Sequence, residues 1–348
     1  MNGPVNNLIR RWRSQRNLRM LQSSYSAGYA FVGVGSHAMQ NLYPALQYLG
    51  IRLKYICCKS PGKLPLIERR FGVTATTELD TVLADDEVKG VFLCVSPQSH
   101  YDICMRVIES GKHLFVEKPP CLTLCQLQKL IAADRNALTM AGMQKRYSPL
   151  VLKLKKRLIK VHHASYSIAY RTGAYPEGDP VTDLFIHPID SACFLFGPAK
   201  ITGIQSIRTK NTVTLHLLLS HGSIKGIMEL STAHSWTSPE ETISVNTPDG
   251  EYLLRQMEQL SYKPHPRTIL KIPTEKISLF TPETHILAER NNFSPLISGN
   301  QLHSHGFISE IKAFADFVDH GSPHTSPLTS MTDTYTLIDQ IHRYLSQP

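Results

Sequence analysis

The chain has 348 residues, of which 42% are hydrophobic and 19% charged. It is therefore long enough for two domains, each with its own core, and too apolar for wholesale disorder. The formal net charge is +9, but five arginines within the first 20 residues leave only +4 for the rest. We expect no nucleic-acid partner from so mild a charge, and no membrane association, because the roughly 18 to 20 uninterrupted apolar residues of a membrane span do not occur.

Residues 1–26 form a basic extension without a single acidic residue. Arg10 and Arg11 are not followed by an apolar segment, so a twin-arginine export signal is not expected. A mitochondrial transit peptide is the alternative to an extension that lies on the protein body. Seven cysteines without a C-x-x-C pair indicate neither a disulfide framework nor a zinc site. We therefore expect no metal and a reducing compartment, the cytoplasm.

Strands and helices are predicted to alternate over residues 27–147. Apolar runs typical of strands occupy 29–34, 53–58, 90–95, 113–116 and 138–141, and helical patterns occupy 37–49, 78–88, 100–110 and 122–133. Because strands separated by helices need crossover connections, the sequence predicts an α/β domain with a doubly wound parallel sheet of the Rossmann type.

The loop after the first strand has the pattern G-x-G-x-x-A. Gly33 permits a tight turn, Gly35 lets a pyrophosphate approach the backbone, and Ala38 allows close packing of helix and strand. A pattern between a strand and a helix at the start of a βαβ unit predicts dinucleotide binding.

The residue expected to contact the adenosine ribose lies about 20 positions beyond this loop. That count reaches Cys58, which is followed by Lys59 and Ser60, and no acid occurs before Glu68. A carboxylate would repel a 2′-phosphate, whereas Lys59 and Ser60 could bind it. The sequence favours NADP over NAD; alternatively, Lys59 is only a solvated turn residue and NAD is accepted.

Four segments resemble the Gfo/Idh/MocA family of oxidoreductases, which includes glucose–fructose oxidoreductase and inositol 2-dehydrogenase. They are the G-x-G-x-x-A loop at 33–38 (the dinucleotide fingerprint), G-K-H-L-F-V-E-K-P-P at 111–120, S-P-Q-S-H at 96–100 and Q-K-R-Y at 144–147. The segment D-L-F-I-H-P-I-D at 183–190 resembles the family's D-x-x-x-H element. Taken with the fingerprint, the resemblance implies a set of cofactor-binding residues: Gly33, Gly35, Ser36, His37, Ala38, Cys58, Lys59, Ser60, Ser96, Pro97, His100, Glu117, Lys118 and Pro119.

The resemblance also implies catalytic roles for Lys118, His187 and Asp183. Lys118 would hydrogen-bond the reacting oxygen, His187 would accept its proton, and Asp183 would position the pair. Spacing alone predicts that Asp183 and His187 are neighbours on one helix face, where the carboxylate orients the imidazole and raises its basicity. A surface ion pair is the alternative. The substrate-binding residues implied are Lys118, Arg146, Tyr147, Asp183 and His187, although Arg146 and Tyr147 equally suit a basic loop residue and a packed tyrosine.

Residues 148–348 are predicted to form an α+β domain with an open, largely antiparallel sheet. A linking helix at 149–159 precedes strands at 164–170, 201–208, 212–219, 223–230, 242–247 and 252–254, and helices at 307–318 and 330–345 close the chain. The resemblance implies that the sheet forms a homo-oligomer, a dimer or tetramer. The alternative is burial of its apolar faces under its own helices.

The expected activity is hydride transfer between NADP or NAD and a hydroxyl-bearing carbon of a sugar, cyclitol or nucleotide-sugar. Arg171, Tyr175 and His234 are further candidates for substrate contacts. Two alternatives stay open: a NAD-dependent glycosidase that regenerates its cofactor in each cycle, and a nicotinamide-sensing regulatory protein.

Overall fold

The computed structural model describes residues 4–21, 25–277, 281–291 and 300–347. The predicted fold class is confirmed: an α/β half with a parallel sheet is followed by an α+β half with a mostly antiparallel one. Much of the basic extension forms helix α1, Pro4–Leu21. Within the described ranges, no helix combines the length and the apolar character that crossing a lipid bilayer requires.

The first half contains a six-stranded sheet in the order β3-β2-β1-β4-β5-β6, with every neighbouring pair parallel. Its strands are β1 Gly28–Val32, β2 Leu53–Cys57, β3 Thr74–Thr76, β4 Val88–Leu93, β5 His113–Glu117 and β6 Thr139–Gly142. The central strands are continuous apolar runs because helices cover both faces of such a sheet.

Helices connect these strands. After a π-helical turn at Ala38–Leu42, they are α2 Tyr43–Leu49, α3 Leu64–Phe71, α4 Leu79–Ala84, α5 Pro97–Glu109 and α6 Leu124–Ala133. The sequence predicted neither α3 nor β3, and the predicted helix at 78–88 is shorter, because Val88 already belongs to β4.

The second half contains an eight-stranded sheet in the order β16-β13-β12-β11-β7-β10-β9-β8. Its strands are β7 Ser165–Arg171, β8 Lys200–Arg208, β9 Val213–His221, β10 Ile224–Ser231, β11 Glu240–Thr247, β12 Gly250–Arg255, β13 Gln259–Pro264 and β16 His285–Glu289, and a separate two-stranded ribbon is formed by β14 Thr268–Ile269 and β15 Ile272–Pro273. Only the pair of β7 and β10 is parallel in the described sheet.

The helices of the second half are α7 Pro149–Leu158, α8 Pro180–Asp183, α9 Ile186–Phe196, α10 Gln301–Ser304, α11 Phe307–His320 and α12 Thr332–Leu345. Helix α11 returns to the first sheet, where Phe314 meets Phe92 edge-on with ring centroids 4.9 Å apart. The hydroxyl of Tyr29 donates to Asp319 at 2.5 Å. The end of the chain therefore completes the core of the first half.

Candidate functional site

The loop after β1 has the geometry of a phosphate cradle. Gly33 has φ +117°, and a Cβ there would lie 1.9 Å from the carbonyl oxygen of Cys94, so only glycine fits. A Cβ on Gly35 would meet no atom within 4 Å, which leaves space above its backbone. Ala38 is fully buried at the start of the following helix. These positions fit the three roles predicted for the G-x-G-x-x-A pattern.

A cavity of about 590 Å³ lies beside this loop, at the carboxyl ends of the first sheet's strands. The predicted cofactor residues that line it are Gly33, Gly35, Ser36, His37, Cys58, Lys59, Ser60 and Ser96. Lys63, Thr77, Ser99 and Arg106 also line it and were not predicted. This is the position at which doubly wound sheets bind dinucleotides.

The ribose end of the cavity is basic. Lys59, Ser60 and Lys63 are exposed on the segment after β2, and no carboxylate occurs among the described lining residues. Arg106 is already paired with Asp80, Nη2 to Oδ1 2.6 Å. Two lysines and a hydroxyl therefore remain where an adenosine ribose or its 2′-phosphate would lie.

The turn after β5 carries Lys118 and Pro119, joined by a cis peptide bond. The buried ring of His100 holds this turn: its Nδ1 donates to the carbonyl oxygen of Pro119 at 2.7 Å, and its Nε2 accepts from the backbone of Val95 at 3.2 Å. Burial lowers the pKa of His100. The neutral ring thus connects the end of β4 to the Lys118 turn. His100 supports this turn from its buried side, and Pro97 is the first residue of α5.

Glu117 is buried next to Lys118. Its Oε1 lies 3.3 Å from Nε2 of His37, and its Oε2 accepts from the backbone N–H of Lys118 at 3.0 Å. Burial favours the neutral acid, yet the contact with His37 and the charge of Lys118 outweigh it and hold the pKa of Glu117 below its ordinary value. A carboxylate therefore joins the phosphate loop to the Lys118 turn, a contact that the sequence analysis missed.

Lys118 points towards the second half of the chain. Its Nζ donates to the carbonyl oxygen of Asp183 at 2.8 Å. Burial lowers the pKa of Lys118, whereas the charges of Glu117 and Asp183 raise it. The ammonium group has further N–H donors beyond the one that this carbonyl uses.

Asp183 and His187 are not on one continuous helix, and this corrects the prediction. Helix α8 ends at Asp183 and α9 begins at Ile186, so the i, i+4 geometry is interrupted between them. The Asp183 carboxylate accepts instead from the hydroxyl of Tyr175 at 3.3 Å, and burial followed by the charge of Asp179 raises its pKa.

His187 is buried at the same place. Burial and the charges of Lys118, Lys145 and His37 put its pKa well below the ordinary value, contrary to the predicted rise from a neighbouring Asp. Nε2 of Gln144 lies 3.4 Å from Nε2 of His187. Nδ1 is buried without a hydrogen-bond partner among the described residues. The ring is therefore neutral.

The Q-K-R-Y segment forms a tight turn, and the charge of Lys145, rather than that of Arg146, acts on Lys118 and His187. Nζ of Lys145 donates to Glu241 at 2.5 Å and lies 5.1 Å from the centre of the Tyr170 ring. Arg146 is turned away into a buried pair with Asp190, Nε to Oδ2 2.9 Å. Asp190, the last residue of the D-L-F-I-H-P-I-D segment, is thus engaged by Arg146.

Tyr147 is buried as well, and its hydroxyl accepts from the backbone N–H of Thr325 at 3.2 Å. The contacts of Arg146 and Tyr147 are those of a basic loop residue and a packed tyrosine, the alternative to substrate binding given above. Among the described residues, no cluster of three or more His, Cys, Asp or Glu side chains is arranged to hold a metal ion.

The three further candidates differ in their surroundings. Arg171 is paired through Nε with Glu229 at 2.7 Å and through Nη1 with Glu240 at 3.0 Å. Tyr175 contacts Asp183, as described above. His234 is exposed, and its backbone N–H donates to the carbonyl oxygen of Thr172 at 2.9 Å. Tyr175 is the member of this group that the structure joins to Asp183.

Comparison with known proteins agrees with this geometry. Residues 27–143 match the model of the Gfo/Idh/MocA family, described as an oxidoreductase family with an NAD-binding Rossmann fold. The uncharacterized oxidoreductase YhhX of Escherichia coli is 31% identical over 45% of this chain and 50% of its own length. Inositol 2-dehydrogenase of Rhizobium meliloti is 24% identical over 45% of this chain and 51% of its own. The matched region thus spans about half the length of these curated relatives.

The solved structures extend the likeness of fold to both halves. The dehydrogenase from Chromobacterium violaceum superimposes with a TM-score of 0.78 at 17% identity, covering 92% of this chain and 95% of its own.

Proposed function

We propose that this chain, whose residues 27–143 match the model of the Gfo/Idh/MocA family of oxidoreductases, is an NAD(P)-dependent dehydrogenase or reductase. It transfers hydride between the nicotinamide and a hydroxyl-bearing carbon of a sugar-like substrate. The observation that supports this most strongly is the convergence of Lys118 and Asp183, Nζ to the carbonyl oxygen 2.8 Å, beside the buried ring of His187. The match of this chain to an inositol 2-dehydrogenase supports a polyol or sugar as substrate class.

The chemistry divides between the cofactor and the protein. The bound nicotinamide supplies the hydride acceptor or donor. The neutral ring of His187 accepts the proton of the substrate hydroxyl, and the ammonium group of Lys118 hydrogen-bonds the same oxygen as negative charge develops on it. The backbone carbonyl of Asp183 fixes the direction of Lys118, and its carboxylate is held by Tyr175.

We favour NADP as the cofactor, with NAD possible. The support is the basic ribose end of the cavity, where Lys59, Ser60 and Lys63 are exposed. A 2′-phosphate carries negative charge and several acceptor oxygens, so it gains charge-assisted hydrogen bonds from two lysines that a free 2′-hydroxyl does not.

The assembly and location belong to the same proposal. The eight-stranded sheet exposes large apolar side chains on its strands, including Ile207, Leu218 and Ile227. A second copy of the chain could cover them, which supports a dimer or tetramer formed through this sheet. All seven cysteines are free thiols, in keeping with the reducing cytoplasm.

The direct test is to incubate purified protein with NADP⁺ or NAD⁺ and a panel of sugars, cyclitols and nucleotide-sugars, and to follow nicotinamide absorbance. Growth of reduced cofactor with one class of substrate is expected, faster with NADP⁺. If reduced cofactor never accumulates while dinucleotide is released from the denatured protein, net hydride transfer is contradicted, and a glycosidase with a closed redox cycle explains the site better.

A further inference from the structure

Trp236 is an exposed indole that the protein holds in a fixed orientation. Trp236 is 56% exposed, yet its Nε1 donates to the carbonyl oxygen of Ala174 at 2.8 Å. A Cβ at Gly173 would lie only 2.2 Å from Cδ1 of Trp236, so one part of the ring packs directly on this glycine. The indole is thus ordered by the loop after β7 and leaves much of its surface to a ligand.

A continuous chain of contacts leads from Trp236 to the reacting end of the site. The rings of Trp236 and Tyr175 have centroids 6.4 Å apart. The hydroxyl of Tyr175 donates to the Asp183 carboxylate at 3.3 Å, and the backbone of Asp183 binds Lys118 at 2.8 Å. Because Tyr175 lies between Trp236 and Asp183, the indole is one aromatic ring further from the reacting oxygen. A single-ring polyol held at Lys118 would end near Tyr175.

Two cations of this region, Arg171 and Lys145, are already paired with carboxylates. Arg171 is paired with Glu229 and Glu240, and Lys145 with Glu241. A diphosphate would have to displace one of these pairs, whereas an uncharged ligand would not. The charge distribution therefore favours a neutral substrate over a nucleotide-sugar.

We infer that Trp236 and Tyr175 form a subsite for the second ring of a neutral glycoside or disaccharide, whose first ring presents its hydroxyl to Lys118 and His187. The face of an indole is electron-rich and attracts the weakly positive C–H groups on one side of a sugar ring. Fixing the indole beforehand reduces the entropy lost on binding. The inference rests on the proposed function, since that function places the first ring.

Fluorescence gives a test that does not depend on turnover. The chain has two tryptophans, Trp12 and Trp236, so Trp12→Phe leaves Trp236 as the sole indole. This variant is titrated with maltose, cellobiose and lactose, and separately with glucose and galactose, in the presence of NADP⁺. At least one disaccharide should change the emission of Trp236 at concentrations where its monosaccharides do not. Equal responses to one-ring and two-ring sugars, or none, would overturn the subsite.

Substitution gives the second test. Trp236→Ala should raise the KM for the responding disaccharide about three- to tenfold, the usual value of an aromatic contact, while Trp236→Phe retains most of the affinity. The control is Tyr48→Ala, which removes an aromatic side chain of similar exposure, 47%, on α2. An unchanged KM in Trp236→Ala would contradict the inference. So would protection of the Trp236 fluorescence from quenching by acrylamide in the free protein, because it would place Trp236 in a subunit interface.

The two tests separate this inference from the proposed function. A disaccharide that binds at Trp236 without any hydride transfer would support the subsite and contradict the dehydrogenase. Turnover of a one-ring polyol at a rate that Trp236→Ala does not change would support the dehydrogenase and overturn the subsite.

Discussion

Nε2 of His37 lies 3.3 Å from Oε1 of Glu117, so one contact joins the phosphate loop to the turn that carries Lys118. Nδ1 of His37 accepts from the side-chain amide of Asn41 at 3.1 Å, which leaves the proton on Nε2, facing the carboxylate. The phosphate loop and the Lys118 turn, to which we assign cofactor binding and polarisation of the substrate, are therefore coupled through the buried carboxylate of Glu117.

Glu117→Gln should shift the basic limb of the pH profile of kcat/KM to lower pH. The carboxylate of Glu117 raises the pKa of Lys118 against the opposite effect of burial. Without that charge Lys118 loses its proton at a lower pH, and activity that needs the ammonium form falls there. The profile is compared with that of Glu87→Gln, an exposed glutamate paired with Lys54. Superimposable basic limbs in Glu117→Gln and wild type would refute the coupling.

Lys118→Ala should retain NADP binding and lose turnover by roughly two to four orders of magnitude, the range for a group that stabilises charge in the transition state. Cofactor affinity is measured by titration and turnover by nicotinamide absorbance. Lys89→Ala, which removes an exposed lysine outside the site, is the control. Full activity in Lys118→Ala would exclude Lys118 from the mechanism.

The nucleotide-binding half could be predicted because its signals are local. Buried parallel strands are continuous apolar runs, and Gly33 and Gly35 follow such a run directly. Thr74–Thr76, one of the strands that escaped prediction, is short and lies at the edge of its sheet, where polar residues hide the pattern.

The candidate site was harder to predict because its contacts depend on tertiary packing. Residues 185 to 190 are all buried, so their pattern carries no amphipathic period that would reveal the break between α8 and α9. The choice between Lys145 and Arg146 is likewise not local: it depends on Glu241 and Asp190, distant partners that draw the two side chains in opposite directions.

Replacing Lys59 and Lys63 by alanine should weaken NADP binding about tenfold and leave NAD binding nearly unchanged. The estimate corresponds to exposed charge-assisted hydrogen bonds to a 2′-phosphate, which are weaker than buried ones. The Kd for each cofactor is measured by titration at two salt concentrations, and the NADP value should respond more to salt. Equal losses for NADP and NAD would show that the lysines do not recognise the 2′-phosphate.

The pair of His342 and Asp179 should make stability depend on pH. Nε2 of His342 lies 2.8 Å from Oδ2 of Asp179, which also caps α8, and this hydrogen bond raises the pKa of His342. A raised folded-state pKa gives stabilisation that is complete below the unfolded value of about 6.5 and is lost as pH rises through the folded value. His342→Gln should therefore lower Tm below pH 6 and approach wild type in alkaline buffer. A constant difference in Tm across this range would contradict the pair's role.

Arg146→Met should destabilise the fold without changing how substrate binds. Arg146 is only 3% exposed, and its guanidinium contacts Asp190 at 2.9 Å and the carbonyl oxygen of Thr325 at 2.9 Å. Removing one partner leaves a buried, unpaired carboxylate, which costs about 3–5 kcal/mol in the free energy of unfolding. Arg146→Lys keeps the charge and separates the effect on the fold from an effect on substrate binding. It should unfold at a lower denaturant concentration than wild type and retain the wild-type KM at low temperature. A raised KM in Arg146→Lys with unchanged stability would instead favour the substrate contact that the resemblance implied.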